Sequence, residues 1–528
     1  MRKMKYPETV EKWDVFEVSI PGVRSGNPFV ERRIQGIFEG VNEKVSVDGF
    51  YDGDGIYKVR FMPSFEGRYA FTLYGNFDGD ENDDASCEDR GGDFLVSAPA
   101  ADNHGPVRVA DTCHFAYEDG TPYYSIGTTC YVWELQSDEM IEQTLNSLNE
   151  SAFNKLRFCI LPKHYDYNLG EPRSYPYEGT PMDSSVLTKD NFAQYNGNPE
   201  GNHWDFTRFH PEYFRHIEKC ILALRKLGIE ADLIVMHPYD RWGFSCMTSE
   251  QDDLYWHYVV ARFAAYRNVW WSLANEYDLM PQKELKDWER YARILCEKDP
   301  YRHLRSIHQC TAMYDYSRPW ITHCSVQRVD LYKTAECVSE LKERYRKPVV
   351  MDEIAYEGNI QYGWGNISGQ EMTRRFWEAV CRGGYPGHGE TYLENDDVLW
   401  WSHGGKLHGE SWKRFGFLHR IMMETPGNGL CLCPDGEWDT VTAVPDSQTQ
   451  KQMKVKDYYL IYFSFMRPSF REFHFDETTR FRVKVLDTWN MTVEDQGIHS
   501  GRFKIDLPGR EYMAIQLRKI KNDEETDV

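Results

Sequence analysis

Long apolar runs are missing from this 528-residue chain. No stretch approaches the roughly 20 residues that a membrane-spanning helix needs, and mean hydropathy is −0.65. Positive charge is scarce as well: 61 Lys and Arg against 83 Asp and Glu leave a formal net charge of −22. Nucleic acid and anionic lipid are held by clustered cations, so neither nucleic acid nor membrane is expected as a partner. The opening "MRKMKYPETVEKWDVFEV" has positive charges but no apolar h-region. No secretory signal is visible in it, and a cytoplasmic location is the expectation. The thirteen cysteines are odd in number and include no CxxC pair; Cys431 and Cys433 form only a CxC. That spacing speaks against a disulfide framework or a zinc site, and reduced thiols are expected. No cofactor is anticipated. What the chain has in excess is aromatic surface, with 16 Trp, 34 Tyr and 28 Phe. Such faces serve ordinary cores, and they also suit a pocket for flat or sugar-like ligands.

Three regions differ in pattern. Over residues 1–105, "KWDVFEVSI", "RRIQGIFEG" and "GRYAFTLYG" alternate apolar and polar residues between Gly, Asp and Pro, which predicts an antiparallel β-sandwich. The acidic "NFDGDENDDASCEDRGGD" reads as a solvated hairpin loop in preference to a calcium loop. Over 106–427, strand-like segments are separated by helical ones. The strand candidates are "YYSIGTTCYVW", "FNKLRFCIL", "EADLIVMHP", "VWWSLAN", "HLRSIH", "WITHCSVQ", "PVVMDEI" and "GGYPGHGETY". Eight such units predict a (β/α)8 barrel. A doubly wound sheet is the alternative, but no Gly-rich phosphate loop follows the first strand. Residues 428–528 return to β character in "RFRVKVLDTWN", "GRFKIDL" and "EYMAIQLRKI" and predict a second sandwich ending in a frayed "KNDEETDV". Both sandwiches are expected to pack on the barrel and to offer a surface to a second copy of the chain.

In a barrel of this kind, site residues follow the carboxyl ends of the strands. Those positions hold Arg157, His237, Asn275 with Glu276, His308, His323, Glu353, and His388 with Glu390. A buried apolar strand that ends in acid, as "NVWWSLANEYD" does, is either surfacing or delivering a catalytic group. Glu276 and Glu353, from the fourth and seventh strands, would supply the two carboxylates that glycoside cleavage uses, one as acid and one as nucleophile or base. Each residue alone is a weak signal, since loop glutamates and core histidines are common. Their types and strand order together are specific.

"SAFNKLRFCI", "LIVMHP", "WSLANEYD" and "VVMDEIAY" resemble the second, third, fourth and seventh strands of glycoside hydrolase clan A, and in particular its cellulase-like and apiosidase-like barrels. The resemblance spans about residues 107–425 and is strongest at the Asn-Glu pair. It implies Glu276 as acid/base, Glu353 as nucleophile, Arg157 as its brace, His237 as the third-strand histidine and Asn275 as a sugar-hydroxyl ligand. His323 fits the sixth-strand position. Trp400 or Trp401 would form the aromatic platform, although "WWSHGG" begins eight residues beyond Tyr392, and Glu390 would contribute to substrate binding. The implied activity is retaining hydrolysis of oligosaccharides or plant-type glycosides. Two rivals remain. A metal-dependent hydrolase would use His308 and His323, but the first strand lacks the HxH that such a site wants. A non-catalytic carbohydrate-binding protein would not need both glutamates.

Overall fold

A computed structural model describes residues 4–79, 90–168, 170–330, 333–394 and 399–520. Most of the acidic "NFDGDENDDASCEDRGGD" segment and the final "KNDEETDV" lie outside the described residues. Eight parallel strands form the central sheet: β1 (Gly127–Thr129), β2 (Lys155–Cys159), β3 (Glu230–Met236), β4 (Val269–Ala274), β5 (Arg305–Ser306), β6 (Cys324–Gln327), β7 (Val349–Glu353) and β8 (Tyr385–His388). Their order is β5-β4-β3-β2-β1-β8-β7-β6. A parallel bridge between His308 and Ser325 joins the two edges and closes the barrel. Each of the eight candidate segments contains one of these strands.

Helices α1 (Asp138–Glu150), α2 (Pro211–Lys226), α3 (Ser249–Phe263), α4 (Leu285–Lys298), α5 (Cys337–Tyr345), α6 (Gly369–Cys381) and α7 (Trp412–Met423) follow every strand except β5. Their starts are written locally. Ser137 accepts from the Met140 N–H, Ser368 from the Glu371 N–H, and Thr248 with Gln251 forms a capping box. Between β5 and β6 the chain runs through "QCTAMYDYSRPW", whose Asp, Ser and Pro favour turns over a helix.

The barrel interior is charged. Lys155 Nζ lies 2.6 Å from Asp232 Oδ2 and 2.8 Å from Asp352 Oδ1, and Ser325 Oγ donates to Asp352 Oδ2 at 2.5 Å. Buried charges persist only when paired and hydrogen-bonded in this way. Asp352 therefore faces inward one level below Glu353, where simple strand alternation would have turned it outward. The floor is apolar: Phe115, from the hairpin Val107–Ala110/His114–Tyr117, packs its ring 5.2 Å from Trp270 and 4.8 Å from Tyr385.

Before the barrel stand a five-stranded sheet, from Thr9–Glu11 to Gly91–Ser97, and a three-stranded one built on Phe16–Pro21 and Ile56–Phe61. Phe16, Phe38, Phe71 and Phe94 fill the space between the sheets. Buried ion pairs tie this sandwich to α2 and α3. Arg60 Nη1 meets Glu218 Oε1 at 2.7 Å, and Arg262 reaches both Glu218 (2.7 Å) and Asp52 (2.8 Å). After the barrel come a six-stranded antiparallel sheet and the pair Phe470–His474/Arg502–Asp506. α6 packs on this part through Trp377 against Tyr462 and through Ser464 Oγ donating to Glu378 at 2.5 Å.

Candidate active site

β4 ends at Ala274, so Asn275 and Glu276 are the first residues out of the strand. Glu276 adopts φ +49°, a region that non-glycine residues rarely occupy and that persists only where the surroundings enforce it. Those surroundings are specific. Both the Tyr239 hydroxyl and Asn275 Nδ2, the latter at 3.0 Å, donate to Glu276 Oε2.

Glu353 closes β7. Its Oε1 accepts from the Tyr131 hydroxyl at 2.5 Å, with Arg157 Nη1 at 3.5 Å and His308 Nε2 at 3.9 Å. The Tyr131 oxygen also lies 3.2 Å from Asn275 Oδ1, which couples the two strand ends. Gln327, the last residue of β6, bridges them directly. With its amide turned to suit its neighbours, the nitrogen donates to Glu353 Oε2 and to Glu276 Oε1, each at 3.1 Å. The two carboxylate oxygens therefore cannot be further apart than twice that distance.

Burial and the adjacent charge of Glu276 push the Glu353 carboxyl above the usual carboxylate range, while Arg157 and the Tyr131 hydroxyl pull it back. Burial keeps His308, at the back of the pair, neutral. Lys163 lies over the same aromatic surface, and burial lowers its pKa to about 8. Around the carboxylates stand aromatic rings: Trp401 lies 5.3 Å from Tyr131, 5.5 Å from Tyr165 and 5.2 Å from Trp364 between centroids. Tyr362 stacks outward on Trp364.

Of the residues singled out from sequence, Arg157, Asn275, Glu276, His308, Glu353 and Trp401 are thus gathered in one place. The others stand apart from the carboxylates. His237 donates from Nε2 to the Leu161 carbonyl at 3.1 Å, is held neutral by burial, and reaches the site only through the ring of Tyr239. His323 precedes β6 instead of following it, because that strand begins at Cys324; its ring lies against Phe115 and Trp270 at the barrel floor. Trp400 turns away to donate to Thr128 Oγ1 at 2.9 Å. Glu390 is buried and accepts from the His408 and Gly409 N–H groups.

Glu390 belongs to a second cluster. Ligand atoms of Glu357, His388 and Glu390 lie within 4.8 Å of one another, a grouping able to hold a metal. Here the carboxylates hold the chain instead. Glu357 accepts from the N–H groups of Glu410 and Ser411 and from the Ser411 hydroxyl. A Cβ on Gly409 would sit 2.6 Å from Oε2 of both glutamates. The cluster anchors the 408–411 loop, and glycine is required where the chain passes between the acids.

Tyr131, Lys163, Tyr239 and Gln327 were not singled out from sequence. Tyr131, Tyr239 and Gln327 lie at or within three residues of the ends of β1, β3 and β6, so strand-end position was the signal that could have found them. For Lys163, a cation beside "YDY", no sequence signal distinguishes it from an exposed lysine.

The family model described as "Apiosidase-like, catalytic domain" matches residues 110–449. Models of two domains of unknown function, DUF5060 and DUF5605, match residues 9–76 and 438–518. No curated protein matches the chain. Among solved structures, a candidate glycoside hydrolase from Bacteroides vulgatus ATCC 8482 is 35% identical, with TM-score 0.87 over 97% of this chain and 100% of its own. The cellulase Cel5C_n is 12% identical (TM-score 0.39, 63% of this chain and 97% of its own). An endo-1,4-beta-D-mannanase from Thermotoga petrophila RKU-1 is 14% identical (TM-score 0.35, 50% and 87%). These last two likenesses are too slight to bear on function.

Proposed function

The chain belongs to the apiosidase-like family, and from that premise we propose that it is a retaining glycoside hydrolase acting on oligosaccharides or plant-type glycosides. The observation that carries the proposal is the Gln327 bridge. Oxygens of Glu276 and Glu353 that share one amide nitrogen at 3.1 Å each are too close for the roughly 6.5–9.5 Å that an inverting pair keeps open for water, and they suit the roughly 5–5.5 Å of a double displacement.

In the first step Glu353 attacks the anomeric carbon and forms a glycosyl ester, while Glu276 gives its proton to the departing oxygen. In the second, Glu276 takes a proton from water, whose oxygen displaces Glu353 and releases the sugar. A pair this close holds one proton between its members. The Arg157 charge, 3.5 Å from Glu353 Oε1, and the Tyr131 hydroxyl that donates to that oxygen favour leaving that proton off the attacking carboxylate. Trp401 offers its face to the sugar, and Asn275 its amide to a hydroxyl beside the reacting carbon.

The test is a screen of aryl pyranosides and furanosides with the unmodified protein and Glu353→Gln side by side. Turnover that Glu353→Gln abolishes and a chelator leaves untouched supports the proposal. Turnover that survives Glu353→Gln or is lost to chelator removes it.

A further inference from the structure

Lys163 is 2% exposed, and aromatic rings form the immediate cage of its ammonium group. Nζ lies 3.4 Å from the ring centroid of Tyr131, 4.2 Å from Trp401, 4.6 Å from Tyr239 and 5.2 Å from Tyr165. Among the described residues no acceptor is hydrogen-bonded to it and no carboxylate lies within ion-pair distance; Glu276 and Glu353 act on its charge only from further off. The contrast with Lys155 is direct, since that equally buried amine is neutralised by Asp232 and Asp352. Aromatic faces stabilise a cation but leave three N–H donors to be satisfied from elsewhere. Two of the caging rings are those whose hydroxyls hold the carboxylates: Tyr131 on Glu353 and Tyr239 on Glu276. The amine therefore stands beside the place where the sugar must bind.

We propose that Lys163 is an anion subsite that takes the carboxylate or sulfate of an acidic sugar residue bound next to Glu276 and Glu353. Glu276 and Glu353 offset part of the Lys163 charge from a distance, but its donors lack a partner: a neutral hydroxyl would satisfy one of them, whereas an oxyanion engages two and supplies a direct counter-charge. Two catalytic carboxylates in a chain of net charge −22 repel an anionic substrate, and a fixed cation is what admits one. The assignment rests on the glycosidase reading for the identity of the ligand as a sugar.

The test is equilibrium binding, read by tryptophan fluorescence because Trp401 is one wall of the cage. The probes are D-glucuronate and D-galacturonate, glucose 6-sulfate and galactose 6-sulfate, and neutral glucose and galactose. At least one acidic sugar is expected to bind about tenfold or more tightly than its neutral counterpart. The uronate and sulfate arms identify which oxyanion is taken. Lys163→Met should erase the preference and Lys163→Arg should retain part of it. A readout on the unmodified protein needs no variant: the preference should fade as pH rises through and beyond about 8, where the amine loses its proton. Equal binding of acidic and neutral sugars, no binding of any acidic sugar at millimolar concentration, or a preference that persists in Lys163→Met or at high pH would overturn the subsite. Turnover in Glu353→Gln decides the glycosidase reading separately, since binding of these monosaccharides requires no hydrolysis.

Discussion

Replacing Tyr131 with Phe deletes one hydroxyl and keeps the ring. That hydroxyl is the shortest donor to Glu353 Oε1, at 2.5 Å, whereas Arg157 and His308 stand at 3.5 and 3.9 Å, beyond a good hydrogen bond. A hydrogen bond to a charged group contributes about 1.5–3 kcal/mol, so the variant should lose about ten- to a hundredfold in kcat/KM near neutral pH. The sign of the pH effect follows from which form the donor favours. Tyr131 stabilises the ionised carboxylate, so its removal raises a pKa already pushed up by burial and by Glu276. With about 1.4 kcal/mol per unit, the acid limb of kcat/KM should move up by about one to two units. The deficit should then be greatest at low pH and shrink as pH rises. The assay is a kcat/KM–pH profile on whichever aryl glycoside is turned over. An unmoved acid limb, or a uniform loss at every pH, would refute the reasoning.

Replacing Glu276 with Gln should slow substrates with poor leaving groups far more than activated aryl glycosides, because only the former need a proton; equal losses across a leaving-group series would contradict its role. Arg60→Ala, which strips Glu218 of one of its two arginines, should cost about 3–5 kcal/mol in chemical denaturation, and an unchanged midpoint would deny that the ion pairs weld the sandwich to α2 and α3. Asp446 is held down to about 2 by His114 at 2.9 Å and Lys342 at 3.3 Å, so its contribution is present above the unfolded value of about 4 and is lost as pH falls toward 2. Asp446→Asn should therefore be less stable than the parent at pH 6, with the gap narrowing steadily as pH falls from about 4 toward 2; a gap of constant size across that range would contradict the pairing. Gly409→Ala should lower Tm by driving a methyl group between Glu357 and Glu390, and an unaltered Tm would show that the loop shifts freely.

The barrel was legible because its strands are buried apolar runs separated by amphipathic, capped helices, and such patterns survive in sequence. Glu276 and Glu353 were legible for a related reason: acid at the end of an apolar strand is costly and stands out. Boundaries decided the rest. Within "WITHCSVQ" His323 stands out as the strand-end residue although the strand begins only at Cys324, and Gln327, the segment's last residue and the group that joins the two carboxylates, is passed over. Glu390 looked like a site residue because it does follow a strand, but its oxygens are spent on the 408–411 backbone, a tertiary contact that no local pattern announces. Lys163 depends on four rings contributed by residues 131, 165, 239 and 401, so only the folded chain makes it unusual.

The central claim is that Glu353 attacks the anomeric carbon while Glu276 serves as acid and then base. It is tested most directly by following the anomeric proton by NMR during the first minutes of hydrolysis, before mutarotation mixes the products. Two displacements predict that the first sugar released has the configuration of the substrate. Initial release of the opposite anomer would contradict the account.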